Sequence, residues 1–297
     1  IDGMIRFSKR KDIYDVLIRS LAPSIWENED VKKQIENESI DFVRSIQQLP
    51  FIDNEDGIVA DVYYDTFIMK LVSHMQAQKT VLPDEKRLDY RCTKSTVWLL
   101  LVFRIMIQDA WGMDIYERDE DGGDEQDEAS KEIVEIFNSK GVTALCLDMI
   151  AVGIDQDVQL EAIRLLVGML FKEGGNRSVQ GQINSILLNT NSELFFKECS
   201  HHIQELISWH KWHDVIELKE DQDPQLPDTF IIIRYIQLLA EGHFLPNQDI
   251  MREQAHNNVS YNILDDLVDY LNCLSRINCR TSTEAAIGVS ATILELI

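Results

Sequence analysis

The sequence predicts an all-α fold, and three observations predict it. Apolar residues recur at alternating steps of four and three over most of the chain, which is the period of one helix face. Alternating apolar-polar runs of the kind a half-buried strand needs are weak throughout. Pro23, Pro50, Pro83 and the Gly174-Gly175 pair punctuate the gaps between helical runs. With 297 residues, 45% of them hydrophobic, the chain can bury a substantial core. Its length corresponds to roughly two domains at about 150 residues each.

Before residue 131 the helical runs are irregular. They are expected near 10–21, 39–49, 58–79 and 94–111, with Pro23, Pro50 and Pro83 in the gaps. The run "VWLLLVF" at 97–103 is ended by Arg104, far short of the roughly 20 residues a membrane span needs. No transmembrane segment is therefore expected. Residues 117–128, "ERDEDGGDEQDE", hold eight acids in twelve positions. Such a density of like charge repels itself and buries nothing, so an acidic flexible loop is expected at 114–130. The alternative of a cation-buffering loop meets the difficulty that Asp119, Asp121 and Asp124 do not take EF-hand spacing.

From 131 onward the pattern is regular. In "DVQLEAIRLLVGMLFK" (157–172), Val158, Ala162, Leu165 and Met169 form one stripe, widened by Ile163, Leu166 and Leu170. Gly174-Gly175 supplies a left-handed stop, and Asn176 can cap a following helix bearing Val179, Ile183, Ile186 and Leu187. Ser192 can cap the next, with Phe195, Cys199, Ile203, Leu206 and Ile207 inward. Asp228 begins "TFIIIRYIQLLAE", apolar on nearly every side. Ile263, Leu267, Tyr270 and Leu274 again step by four, three and four. Thr281 and Glu284 have capping-box spacing. They would open a last helix with Ala286, Val289, Ile293 and Ile297 inward. Successive amphipathic helices with short links suggest an armadillo-like α-solenoid of stacked antiparallel helices. The expected organisation is an irregular helical segment (1–113), the acidic loop (114–130), armadillo-like repeats (131–220) and a C-terminal helical module (221–297).

The formal net charge of −23 disfavours nucleic acid and anionic lipid surfaces as partners. The five cysteines, Cys92, Cys146, Cys199, Cys273 and Cys279, have no CxxC spacing and fall mostly among apolar residues. They read as buried free thiols in a reducing, cytosolic compartment. The chain opens with Ile1-Asp2-Gly3 and "RFSKRKD", which gives neither a secretory leader nor an initiator methionine and leaves room for a longer protein.

Candidate chemistry is sparse. In "ECSHHIQELISWHKWHD", Cys199, His202, His210 and His213 could in principle ligate zinc, but the apolar face of that helix is already defined. The expectation is polar-face histidines, with Trp209 and Trp212 as packing residues. No nucleophile elbow and no P-loop exist, and "EGGNRS" reads as a helix stop followed by an Asn cap. No enzymatic activity is expected. Residues 12–33, "DIYDVLIRSLAPSIWENEDVKK", resemble the stretch before the phosphate loop of minichromosome-maintenance helicases. They lead into "QIENESIDFVRSIQQ", which has nothing to bind nucleotide, so no ATPase is assigned.

A longer resemblance covers roughly residues 130–297. "GMLFKEGGNRSVQ" (168–180), "SELFFKE" (192–198), "RYIQLLAEGHFLPNQDIMREQ" (234–254) and "NNVSYNILDDLVDYLNCL" (257–274) follow in that order. Together they resemble the C-terminal cytosolic armadillo region of inositol trisphosphate and ryanodine receptors, including the RIH-associated module; the first ~110 residues match poorly. The resemblance implies a regulatory or coupling segment of an intracellular ligand-gated calcium-release channel. It further implies a homotetramer on the cytosolic side of the endoplasmic reticulum membrane, other domains of the channel subunit as partners, and a pore outside this chain. It also implies a regulatory calcium site at Glu241 and Glu295, with His243 in a flanking role. Calcium takes hard oxygen ligands, and two carboxylates from separate helices could clamp it. Empty, such a pair would repel. A free-standing helical scaffold is the rival reading, as is a fragment fused to a helicase-like segment.

Overall fold

The computed structural model describes parts of 68–76 and then 90–111, 128–152, 155–172, 174–189, 192–215, 225–277 and 280–297. The runs expected at 10–21 and 39–49, the helicase-like stretch and most of the acidic loop lie outside the described residues. From Tyr90 onward there are ten α-helices, and no strand among the described residues. They are α1 (Tyr90–Trp111), α2 (Glu128–Ser139), α3 (Val142–Val152), α4 (Gln156–Leu170) and α5 (Arg177–Asn189). After these come α6 (Glu193–Val215), α7 (Ile231–Ala240), α8 (Leu245–Arg252), α9 (Ile263–Leu274) and α10 (Arg280–Leu296). A 3-10 turn, Asp228–Phe230, leads into α7. Helix α2 begins at Glu128, inside the stretch expected to be loop.

The helices group into two compact units, one drawn from Ile1–Leu145 and Ile154–Glu161, the other from Cys146–Gly153 and Ala162–Ile297. In the first, α1 packs on α2. Phe103 and Phe137 meet with ring centroids 4.9 Å apart. Arg104 Nε donates to Glu161 Oε1 at 2.5 Å, and both side chains are largely buried. Pairing satisfies two charges that would each be costly to bury alone.

In the second unit neighbouring helices pack on one another, as in an α-solenoid. The contacts run α6–α9, α9–α10, α10–α7, α7–α6, α7–α8 and α8–α5. The four-three stepping is what makes this possible. Ala162, Leu165 and Met169 on α4 are all buried, as are Ile263, Leu267, Tyr270 and Leu274 on α9. Phe195 sits in the centre, edge-on to Phe196 at 5.2 Å and to Tyr235 at 6.4 Å. Cys146, Cys199 and Cys273 are buried free thiols. Burial pushes the Cys199 thiol far up, with nearby Glu198 adding to it, so it stays protonated and unreactive.

Three sequence expectations are corrected. The last helix starts at Arg280, so Thr281 is a buried first-turn residue and not a cap. The inward face of that helix is Ala285, Val289, Thr292 and Leu296, and Ile297 is exposed. Helix α10 carries apolar residues all round, so its pattern left the facing direction open. Thr292 is fully buried there, its hydroxyl oxygen within hydrogen-bond reach of the Ile233 carbonyl of α7 at 3.3 Å and of its own helix's Gly288 carbonyl at 2.9 Å, shared by one proton. On α6, His202 and His210 are buried rather than on a polar face, while Trp212 is exposed. Positions 199, 203, 206 and 210 continue one stripe, so the core of α6 extends further than its aliphatic residues show.

Ser192 does precede α6, with the Phe196 amide bonded to its main-chain carbonyl at 3.1 Å. Its hydroxyl faces elsewhere, 3.1 Å from His256 Nε2. Asn176 behaves as a cap, its Oδ1 accepting from the Val179 amide at 3.4 Å. Asn262 caps α9 through the Asp265 amide.

Two outcomes follow from this packing. Phe195→Ala should cost about 3–5 kcal/mol, because it empties a filled core position. Leu194→Ala, one residue away and 48% exposed, should fall within roughly 0.5 kcal/mol of wild type; urea denaturation of both variants checks the contrast. Burial, with a smaller contribution from His213, lowers His210 to about 4. The unfolded chain therefore binds more protons than the folded one between the ordinary histidine value of about 6.5 and 4. Stability should decline as pH falls through that window, and His210→Phe should flatten the decline in melts at stepped pH.

Candidate functional site

The stretch around Glu241 is built from the end of α7. An α-helix leaves its last four carbonyls without intrahelical donors. Here every one from Leu238 onward finds a donor outside α7. The Gln180 Nε2 group donates to the Leu238 carbonyl at 2.9 Å and to the Glu241 carbonyl at 3.0 Å. Asn247 Nδ2 donates to the Leu239 carbonyl at 2.8 Å, and the Phe244 amide to the Ala240 carbonyl at 3.0 Å. Arg177 donates to the Gly242 carbonyl at 2.5 Å and its guanidinium lies 5.1 Å from the centre of the Phe244 ring.

Glu241 leaves the helix with φ −50° and ψ 138°. Gly242 and His243 then turn left-handed, at φ 71° and 54°. His243 is the one non-glycine residue with positive φ among the described residues. Such a conformation persists only where its surroundings impose it. The surroundings are the α4–α5 turn, which lies directly against this one. A Cβ on Gly175 would sit 2.5 Å from the Glu241 carbonyl and 2.7 Å from Gln180 Nε2. A Cβ on Gly242 would meet the Gly174 carbonyl. Gly174-Gly175 and Glu241-Gly242 are thus two faces of one contact between backbones.

Helix α8 continues from this turn, with Pro246 in its first turn, where a missing amide costs nothing. Its other side reaches the end of α10. Gln248 Nε2 donates to the Glu295 carbonyl at 2.7 Å, and Arg252 donates to the carbonyls of Leu296 and Ile297. Helices α7 and α10 also touch along their length. Gly288 lies against Phe230 and Ile233, and Thr292 bonds the Ile233 carbonyl. The contacts advance in the same sense along both helices, so α8 lies across both C-terminal ends.

Glu241 is therefore the C-cap of α7 and Glu295 lies in the last turn of α10, each half-buried, with its Oε2 atom shielded from solvent. His243 is exposed. A helix C-terminus carries partial negative charge, so an acid there adds charge of the same sign. Arg177 and Arg252 counter it by binding main-chain carbonyls at the two ends. Among the described residues no group of three or more His, Cys, Asp or Glu is gathered in a metal-binding arrangement. Glu241 and Glu295 each bring a carboxylate to a helix end here, and a carboxylate is a hard oxygen donor that suits calcium or magnesium better than zinc. Cys199, His202, His210 and His213 belong to the α6 core or its edge. The residues that sequence reasoning missed are Arg177, Gln180, Asn247, Gln248 and Arg252. Their type gave no signal, because a carbonyl-binding amide looks like any surface glutamine or asparagine until its partner is placed.

The backbone contact makes an opposed pair of outcomes. Gly175→Ala should lose at least 1–2 kcal/mol from the left-handed backbone alone, and more from the contact with the Glu241 carbonyl. Gly181→Ala, in α5 where a Cβ meets nothing within 4 Å, should gain up to about 1 kcal/mol. Melting temperatures moving in opposite directions would confirm the reading.

The sequence of this region has a known counterpart. Residues 227–297 match the family described as RyR and IP3R Homology associated. The match begins just before the 3-10 turn, takes in α7 through α10, and so includes both Glu241 and Glu295. Among the described residues no helix is long and apolar enough to cross a membrane. Over residues 227–297, then, the chain carries a RyR and IP3R Homology associated domain, the family its sequence resembles.

Proposed function

We propose that this chain is a regulatory and coupling segment of an intracellular ligand-gated calcium-release channel, and that calcium binds between Glu241 and Glu295. The observation that carries the reading is that one family-matched module holds both glutamates at helix ends tied to the same short helix, α8. Calcium between the two carboxylates would draw the ends of α7 and α10 together, and α8 would move with them. A ligand biases such a rearrangement only by binding one state better than the other. The role is mechanical, with no reaction catalysed by this chain. The remaining parts of the proposal are that the segment works within a homotetrameric subunit assembly, beside other channel domains, on the cytosolic side of the endoplasmic reticulum membrane. His243, exposed and held left-handed, would flank the ion without ligating it.

An isolated pair of carboxylates should bind weakly, with Kd on the order of 10⁻⁴–10⁻³ M. At 10 mM calcium this corresponds to about 1.4–2.7 kcal/mol of added stability. Thermal melts with and without calcium should show the shift. Glu241→Gln and Glu295→Gln should each remove it without unfolding the chain, and the double variant should do little more than either single one. Melts that do not move with calcium, or a shift that survives both substitutions, would sink the calcium reading and leave a helical scaffold as the better account.

A further inference from the structure

We propose that the α4–α5 turn positions the Glu241 carboxylate, acting through Arg177 and Gln180; this rests on the calcium reading above. The two side chains form a small network. Arg177 Nη1 donates to Gln180 Oε1 at 3.4 Å while Nη2 holds the Gly242 carbonyl at 2.5 Å. Gln180 is fully buried, and its Nε2 spans the Leu238 and Glu241 carbonyls. Its own amide bonds the Asn176 carbonyl at 2.9 Å, fixing it to the first turn of α5. The peptide groups on both sides of Gly242 are therefore held by α5, and Gly175 lies so close behind them that a Cβ there would meet the Glu241 carbonyl. The direction in which Glu241 leaves the helix is set from outside its own helix. Groups that orient a metal ligand in this way are worth roughly 10–100-fold in affinity.

Arg177 gives the test its discrimination. Removing a positive charge near a cation site should tighten calcium binding if only charge matters. If Arg177 positions the ligand, its removal should weaken binding instead. The experiment measures calcium affinity of the 297-residue chain by isothermal titration, well below the melting temperature, for wild type, Arg177→Ala, Arg177→Lys, Gln180→Leu and Glu241→Gln. A core variant, Ile203→Val, controls for loss of stability at a distance. The expected result is about tenfold weaker binding for Arg177→Ala and Gln180→Leu. Arg177→Lys should recover part of it, because an ammonium can still reach the Gly242 carbonyl, and Ile203→Val should bind as wild type. Arg177 is exposed, so its variants test the inference even if Gln180→Leu does not fold. Unchanged or tighter binding by Arg177→Ala, in a chain where Glu241→Gln abolishes it, overturns the positioning role alone. Equal weakening by Ile203→Val overturns it as well, by showing a mere stability effect. A wild-type chain that binds no calcium overturns this inference together with the reading it rests on.

Discussion

The end of α7 depends on one buried amide. Four carbonyls at a helix terminus must find donors, and leaving one buried and unmet costs about 1–3 kcal/mol. Gln180 meets two carbonyls at this end of α7 with a single nitrogen. It can do so only because Gly175 has no side chain to hold α5 away. From that contact the rest of the arrangement follows. Asn247 takes the next carbonyl, α8 starts where the turn releases the chain, and Asn184 on α5 secures α8 by donating to the Pro246 carbonyl at 3.0 Å. Much of the local backbone chemistry here is completed by residues about 60 positions away.

Electrostatics at the two helix ends is a balance rather than an excess. Glu241 and Glu295 stand where the helix dipoles already concentrate negative charge. Arg177 and Arg252 offset the main-chain part by binding carbonyls directly. A charged donor on a neutral carbonyl gives a short, strong bond and leaves the carboxylates to be satisfied in their own way. The ends of α7 and α10 are thus held at their main-chain carbonyls by side chains of α5 and α8.

The core beside this region tolerates polar groups at a cost. His202 and His210 are buried on α6, and the Nε2 atom of each has no hydrogen-bond partner. Tyr270, whose ring lies 5.6 Å from that of His210, has a buried hydroxyl in the same condition. Desolvation holds the histidine neutral and the phenol protonated. Asp266 on α9 is likewise raised, chiefly by burial, while Ser200 and Gln204 on α6 bond it and pull the other way. The α6–α9 contact is therefore held by shape and apolar area more than by its polar groups.

By itself the sequence determined that the chain is helical from 131 onward, and it marked the buried stripes of α4, α5, α6 and α9. A period of three and four is a local property, readable wherever one face is apolar and the other polar. The left-handed stops at Gly174-Gly175 and Gly242 were legible for the same reason, since glycine's freedom at positive φ is intrinsic. The family resemblance singled out Glu241 and Glu295 as candidates, and each lies at the C-terminal end of its helix. Where a helix is apolar on all sides, as α10 is, the pattern cannot choose a face, and Thr292 rather than Ile293 turned inward. Nor could the chain announce that Gln180 and Arg177 hold the Glu241 turn, or that Gln248 and Arg252 bind the end of α10. Those contacts join residues far apart in sequence through main-chain carbonyls, which every residue possesses. Only the tertiary packing of α5, α8 and α10 decided which carbonyls came within reach.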